Sequence, residues 1–156
     1  MCYPRVLMKF RLDYAKMLIL DAEDLAEAGI KKAYESALPV LRQYISEPAQ
    51  VQELVDHRAP SYLVRCAGQE YMIYAPTLPD DEGQLWGRAA YAFFKIINDQ
   101  LAKSEYRLYA INGGNDLGGM FLTHPECEAV RRSLLRKDDW PYLPTLEHPS
   151  YGQLHS

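Results

Sequence analysis

The sequence of 156 residues is poor in cysteine and contains no long hydrophobic run. Its three cysteines, Cys2, Cys66 and Cys127, are widely spaced and form no CxxC pair or Cys/His ligand pattern, which argues against a zinc site or a disulfide framework. Unpaired cysteines are typical of a reducing compartment, so we expect a cytoplasmic protein. No apolar stretch has the length of a signal peptide or a membrane span, so we expect no membrane association.

Basic residues are also few, because 17 Lys and Arg stand against 21 Asp and Glu and give a formal net charge of −4. Binding to phosphates needs a concentrated basic face, so we expect no nucleic-acid partner. The acidic residues are unevenly placed, with eight of them against three basic residues in the segment 21–57. This distribution fits either solvated helix faces or an acidic surface that matches a basic partner.

Familiar catalytic and ligand-binding motifs are missing as well. The sequence has no GxSxG, HExxH or GK[ST] motif, and its four histidines stand far apart. Cys66 lies in an alternating strand pattern, where cysteine is usually a small buried apolar residue rather than a nucleophile. These absences favour a binding protein over an enzyme, with no catalytic residue, no metal and no cofactor.

The sequence does contain enough apolar residues, 48% of the total, for a hydrophobic core. We therefore expect one soluble domain over residues 1–156. Alternating and β-rich segments predict strands, and the short apolar run 17–20 either extends the first of them or forms another. The predicted strands are 5–12, 51–56, 62–66, 69–75, 106–111 and 120–122.

Apolar residues at helical spacing predict a first helix with Asp21 as its N-cap. Pro39 lies inside the pattern and should kink the helix or start a second one, because its ring removes a backbone donor. Pro48 should end the helical segment. The apolar stripe of this helix consists of Ile30, Tyr34, Ala37, Leu41 and Tyr44.

Two more helices are predicted further along the chain. Thr123 and Glu126 have the spacing of a capping box and predict a short helix that ends near Arg136. The other helix precedes it and should be the central core helix, because its stripe is large and apolar. That stripe consists of Trp86, Ala90, Phe93, Ile97 and Leu101.

Hairpins outnumber parallel crossovers in this order of elements, which favours an α+β fold. We expect a mostly antiparallel sheet of about five to six strands, with the two long helices packed on one face and a short C-terminal helix after them. Prolines and aromatic residues are frequent over 138–156 and predict an extended C-terminal tail that packs on the body.

The most distinctive segment is the glycine-rich stretch 112–119, with four glycines in eight residues. One interpretation is a tight turn in which Asn and Asp bond their own backbone. The other is a recognition loop in which Asn112, Asn115 and Asp116 contact a ligand or a partner, with Arg107 as a further contact.

The densest acidic run, Asp80, Asp81 and Glu82, also has two interpretations. It lacks the spacing of a calcium loop, and it fits a solvated approach to a helix N-terminus, where the helix dipole favours anions. As a functional alternative, these three carboxylates contact a partner protein.

Four segments carry a resemblance to a known group of proteins, and their sequences are LILDAEDLAE, YRLYAINGGNDLGGMFLT, DWPYLP and YGQ. Over almost its whole length the chain resembles small bacterial proteins encoded beside polymorphic or contact-delivered toxins. The resemblance implies a cytoplasmic immunity protein that blocks a cognate toxin, and it implies no catalytic residues.

The leading hypothesis is therefore a non-catalytic module that binds another protein, with the acidic run and the glycine-rich stretch as its contacts. Its surplus of aromatic residues, which include twelve Tyr and two Trp, suits an interface. The alternative is a small-molecule-binding protein or an enzyme with its site at 112–119. A structural role in an oligomer is a third option.

Overall fold

The computed structural model describes residues 9–79 and 81–155, and in this part of the chain it contains six β-strands and four α-helices. The strands are β1 (Leu18–Ile19), β2 (Val51–Asp56), β3 (Ser61–Cys66), β4 (Gln69–Tyr74), β5 (Tyr106–Ile111) and β6 (Gly118–Thr123). The helices are α1 (Ala22–Glu27), α2 (Ile30–Leu41), α3 (Glu82–Gln100) and α4 (His124–Ser133).

The strands pair antiparallel throughout, but they form two separate sheets of three strands. The first sheet has the order β1-β6-β5 and the second has the order β2-β3-β4. The 19-residue helix α3 connects the two sheets and packs against both β4 and β5. The α+β class and the antiparallel pairing are therefore confirmed. The strands are nevertheless divided between two sheets, because β4 and β5 both pack against α3, the helix that connects them.

The segment 5–12, predicted as the first strand, is described only from residue 9 onward, and residues 9–12 form no strand. Phe10 and Leu12 instead pack beside a small apolar cluster on one face of the first sheet. Alternation shows which side chains are buried, but it does not supply a strand partner. The N-terminal strand that does form is β1, from the apolar run 17–20.

The first helical segment breaks at Gly29 rather than at Pro39. Asp21 is the N-cap of α1, as predicted, and its Oδ1 accepts the N–H of Glu23 at 2.9 Å. Gly29 then adopts a φ of +112°, which other residues rarely reach, so a new helix begins after it. Pro39 stays inside α2. The predicted stripe is buried at Ile30, Tyr34, Ala37 and Leu41.

The hairpin of β3 and β4 and the helix α3 lie where the local sequence patterns predicted them. The hairpin between β3 and β4 turns at Ala67 and Gly68, both with positive φ, as a tight two-residue turn requires. Phe93 and Ile97 of α3 are fully buried, whereas the predicted stripe residue Trp86 stays partly exposed.

The capping box of α4 is present in both directions. Thr123 Oγ1 accepts the Glu126 N–H at 3.3 Å, and Glu126 Oε1 accepts the Thr123 N–H at 2.9 Å. The helix ends at Ser133, three residues before the expected end at Arg136. Its Cys127 packs on the face of the first sheet that carries Tyr109, so that sheet is covered on both faces.

The C-terminal tail lies against β5 and α3. Tyr142 and Ala110 exchange two backbone hydrogen bonds, at 2.7 and 3.0 Å, and these cover the outer edge of β5. The Tyr142 hydroxyl also donates to the carbonyl of Asn112 at 2.6 Å. Further along, the Tyr151 ring lies so close to Gly87 that a Cβ at this glycine would meet it at 2.3 Å. The tail therefore fills space that larger side chains on α3 would occupy.

Alkaline pH should destabilise this packing. Burial raises the pKa of Tyr142 to about 12, and burial with the neighbouring Cys127 raises that of Tyr109 to about 12. Each raised pKa stabilises the fold below pH 10, the ordinary tyrosine value, and that contribution is lost as the pH rises towards 12. We expect the urea midpoint, measured by circular dichroism, to fall between pH 10 and 12, and to fall less in Tyr142→Phe. An equal fall in the variant would contradict this.

Candidate functional site

The glycine-rich stretch forms a tight connection between β5 and β6. Asn112 and Gly114 have φ values of +57° and +59°, and a short turn of 3-10 helix follows over Gly114–Asp116. Tyr142 holds the start of the loop through the Asn112 carbonyl. Asp116, at the end of the turn, is exposed. Backbone geometry and the tail thus account for the conformation of the loop.

Asn115 connects this loop to α1. Its side-chain amide donates to both carboxylate oxygens of Asp21, at 3.1 and 3.2 Å, and to Glu23 at 3.2 Å. Asp21 already accepts the free N–H groups at the start of α1. Asn115 therefore bridges two acidic side chains and fixes the loop against the helix, which leaves its amide engaged within the protein.

Arg107 lies at the opposite end of β5 from the loop. Its guanidinium donates to the carbonyls of Leu101 at 2.6 Å, Ser104 at 2.8 Å and Tyr106 at 2.6 Å, and to that of Ala102 at 3.3 Å. These are the carbonyls at and beyond the C-terminus of α3, which lack helical partners. The structure therefore does not bring Arg107 together with Asn112, Asn115 and Asp116, and it gives this arginine a structural role.

The acidic run precedes α3. Asp80 lies outside the described residues. Asp81 is the N-cap of α3, with its Oδ1 accepting the Gln84 N–H at 3.0 Å, and Glu82 is exposed in the first turn. The interpretation as an approach to a helix N-terminus is thus correct for Asp81, while Glu82 is left to face solvent.

The start of α3, the start of α1 and the glycine-rich loop meet at one end of the molecule. Gly83 and Trp86 of α3, Ala22 of α1 and Gly113 and Gly114 of the loop line a common cavity of about 220 Å³. Six carboxylates belong to these three segments or cap their helices, and we call this end of the molecule the acidic end. It comprises Asp21, Glu23, Asp24, Asp81, Glu82 and Asp116.

A groove of about 460 Å³ runs along the other side of α1, between β1 and α2. We call it the β1 groove. Leu18, Leu20, Leu25, Ala33 and Ala37 supply apolar lining, and Ile19, which is 89% exposed, also lines the groove. The polar lining residues are Asp21, Asp24, Lys32, Ser36 and Asn115. An apolar groove with acidic residues at its rim suits a protein segment better than a small charged metabolite.

Cys66 and Cys127, the two cysteines in the described part of the chain, lack the features of nucleophiles. Cys66 and Cys127 are both unpaired and buried, and burial is the main cause that raises the pKa of each thiol. A raised pKa disfavours the reactive thiolate. Within the described residues, no group of three His, Cys, Asp or Glu side chains is placed to hold a metal ion. No helix in the same part of the chain is both long enough and apolar enough to cross a membrane.

Sequence reasoning found the acidic end in part and missed the β1 groove. Asn115 was the one predicted site residue that lines the groove. The sequence carried no signal for the rest, because Ile19 lies in an apolar run and its exposure follows only from the place of β1 at a sheet edge.

No family model, no curated protein and no solved structure matches this chain. The resemblance to immunity proteins therefore stays a prediction, and the function has to be argued from the acidic end and the β1 groove.

Proposed function

We propose that the chain is a non-catalytic protein-binding module of the cytoplasm, and that its partner presents a basic surface. An immunity protein that occludes a cognate bacterial toxin is the form of this function that we favour. The observation that carries the proposal is an apolar groove that has Asp21 and Asp24 of the acidic end among its own lining residues. The apolar lining supplies area to bury, and the carboxylates supply selectivity for a basic partner.

The contacts of the polar candidate residues support binding rather than chemistry. Arg107 and Asn115 are engaged by carbonyls and carboxylates within the protein. Asp24, Glu82 and Asp116 instead are exposed. Exposed carboxylates attract a basic protein.

The charges should act mainly on the rate of association. Exposed carboxylates are screened over about 10 Å at 0.1 M salt, so they guide the approach of a partner more than they hold it. Occlusion by an immunity protein needs rapid capture of its toxin, which an acidic face would provide.

A small-molecule site at the glycine-rich loop is the second candidate, and one observation favours it. The indole N–H of Trp86 is buried and has no hydrogen-bond partner among the described residues, and Trp86 lines the cavity of about 220 Å³ beside Gly113 and Gly114. A buried donor of this kind is available to a ligand acceptor. Arg107, however, is too far along β5 to take part.

The test of the proposed function is a complex with the product of the adjacent gene. We expect a 1:1 complex after coexpression, seen by size-exclusion chromatography with light scattering. In the variant Glu82→Lys/Asp116→Lys we expect association at least about tenfold slower at low salt, because two charges of the acidic end are reversed. Stopped-flow or surface plasmon resonance would measure the rate.

The control variant is Glu47→Lys/Glu105→Lys, which makes the same change in net charge. Both residues are exposed and flank the C-terminal end of α3, about 28 Å from its N-terminus at 1.5 Å per residue. We expect this variant to associate within about threefold of the wild-type rate. Failure of the wild-type protein to form a 1:1 complex, or equal slowing in both variants, would overturn the proposal.

A further inference from the structure

The two edges of the first sheet differ in how the rest of the described chain covers them. The edge at β5 is covered by the tail, because Tyr142 and Ala110 exchange backbone hydrogen bonds there. At the opposite edge lies β1, which has β6 as its strand partner on one side and the β1 groove on the other. Open edges offer unpaired backbone groups, and proteins commonly cover or charge them.

The register shows which backbone groups of β1 have no partner among residues 9–79 and 81–155. Leu18 and Ile19 lie opposite Gly119 and Gly118, and the next residue, Leu20, donates its N–H to the Leu117 carbonyl at 2.9 Å. Hydrogen-bonded pairs alternate with non-bonded pairs in an antiparallel ladder. Ile19 therefore belongs to a non-bonded pair, and its N–H and C=O point away from β6.

The space beside Ile19 has the shape for another extended segment. The β1 groove lies between β1 and α2, with Leu20, Ala33 and Ala37 as apolar lining. The small alanines on α2 leave room beside β1, next to the polar lining residues Lys32 and Ser36 of the same helix. A strand placed there would pair with Ile19 and bury alternate side chains against these residues.

The charges around the groove indicate what kind of segment fits. Asp21 and Asp24 lie at its rim. Lys32 is the one basic side chain that lines the groove within the described part of the chain. Two carboxylates against one amine favour a segment that alternates basic and apolar residues.

We propose that a partner protein binds by adding an extended, basic segment to β1 as a fourth strand of the first sheet. This inference rests on the proposed function and names its docking mode. The main-chain pairing with Ile19 supplies registration, the apolar lining holds alternate side chains, and the carboxylates select lysine or arginine at the outward positions.

The probe is the peptide acetyl-Lys-Val-Lys-Val-Lys-Val-amide, titrated into ¹⁵N-labelled protein and followed by NMR. We expect saturable shifts centred on the Ile19 amide with a Kd below about 1 mM. The matched peptide with Glu in place of Lys should bind at least about tenfold more weakly, because it meets like charges. Absence of a saturable shift at Ile19, or equal binding of the two peptides, would overturn the proposal.

Two substitutions separate main-chain pairing from side-chain contact. Ile19→Pro removes the outward N–H at an edge position where proline is tolerated, and it should weaken peptide binding at least about tenfold. Ile19→Ala keeps the N–H and should bind within about threefold of wild type. Equal binding by Ile19→Pro would contradict strand addition.

Ala33→Leu provides a second route to the same result if Ile19→Pro unfolds, as circular dichroism would show. The larger side chain narrows the groove from α2 while β1 stays unchanged, so peptide binding should again fall at least about tenfold. Unchanged binding would overturn the proposal. The titration needs no partner protein, and the coexpression experiment detects a complex whatever its docking mode, so the docking mode and the proposed function fail separately.

Discussion

Replacing Tyr142 with alanine is expected to lower the free energy of unfolding by about 3–5 kcal/mol, the usual cost of removing a large buried aromatic ring. Tyr142 is almost fully buried and packs with the main core. Its hydroxyl also holds the carbonyl of Asn112 at 2.6 Å. Loss of the ring should leave a cavity and release the glycine-rich loop together. Urea denaturation followed by circular dichroism would measure the change.

Tyr142→Phe is the control, because it keeps the ring and removes only the hydroxyl. We expect it to cost about 0.5–1.5 kcal/mol, the net value of one hydrogen bond. Both variants keep the backbone hydrogen bonds with Ala110, so they isolate the side chain from the covered sheet edge. If Tyr142→Ala cost no more than Tyr142→Phe, the tail would not be part of the core.

Replacing Arg107 with methionine is expected to lower the free energy of unfolding by about 2–3 kcal/mol, the cost of losing hydrogen bonds to a charged group. Methionine keeps much of the apolar stem of the side chain. It leaves the carbonyls of Leu101, Ser104 and Tyr106 without their common donor. The turn between α3 and β5 should therefore loosen, which hydrogen exchange at these residues would detect beside the denaturation midpoint.

Two further variants bracket this result. Arg107→Lys keeps the charge but loses the planar fork of donors, so we expect an intermediate cost. Arg132→Met removes an exposed arginine of α4, and we expect a change within about 0.5 kcal/mol. A cost for Arg107→Met as small as that for Arg132→Met would mean that water replaces the guanidinium without loss.

Elements specified by neighbouring residues were predictable from the sequence. The capping box of Thr123 and Glu126 and the turn at Ala67 and Gly68 each depend on residues within a few positions of one another, and both are confirmed. The break at Gly29 was missed because proline carries a stronger local signal than an isolated glycine.

The division into two sheets could not be derived from strand patterns. Each of β3 to β6 reads as a half of a hairpin, and hairpins are compatible with one sheet or two. The outcome depends on α3, whose 19 residues place β4 and β5 against different parts of its surface. Helix packing over that distance is a property of the folded chain.

The same limit explains the candidate site. Asn115 and Arg107 are polar residues near a distinctive loop, and residues of this kind serve either ligands or the protein itself. Which of the two they serve depends on the residues that they contact. The sequence does not show these contacts, since Asp21 lies 94 positions away from Asn115. Glu82 and Asp116 remain candidate contacts because they are exposed, whereas Ile19 became one only when β1 was seen to lie at a sheet edge.

The pairing of β1 with β6 also sets an order of events during synthesis of the chain. Leu18 pairs with Gly119, about a hundred residues later, whereas β2, β3 and β4 are joined by short turns and can pair as soon as they leave the ribosome. At roughly 5–20 residues per second, β1 waits about 5–20 s for its partner strand to be made. During that interval the nascent chain carries Ile19 with both strand edges unpaired, so the stretch around it is where chaperones would first be needed.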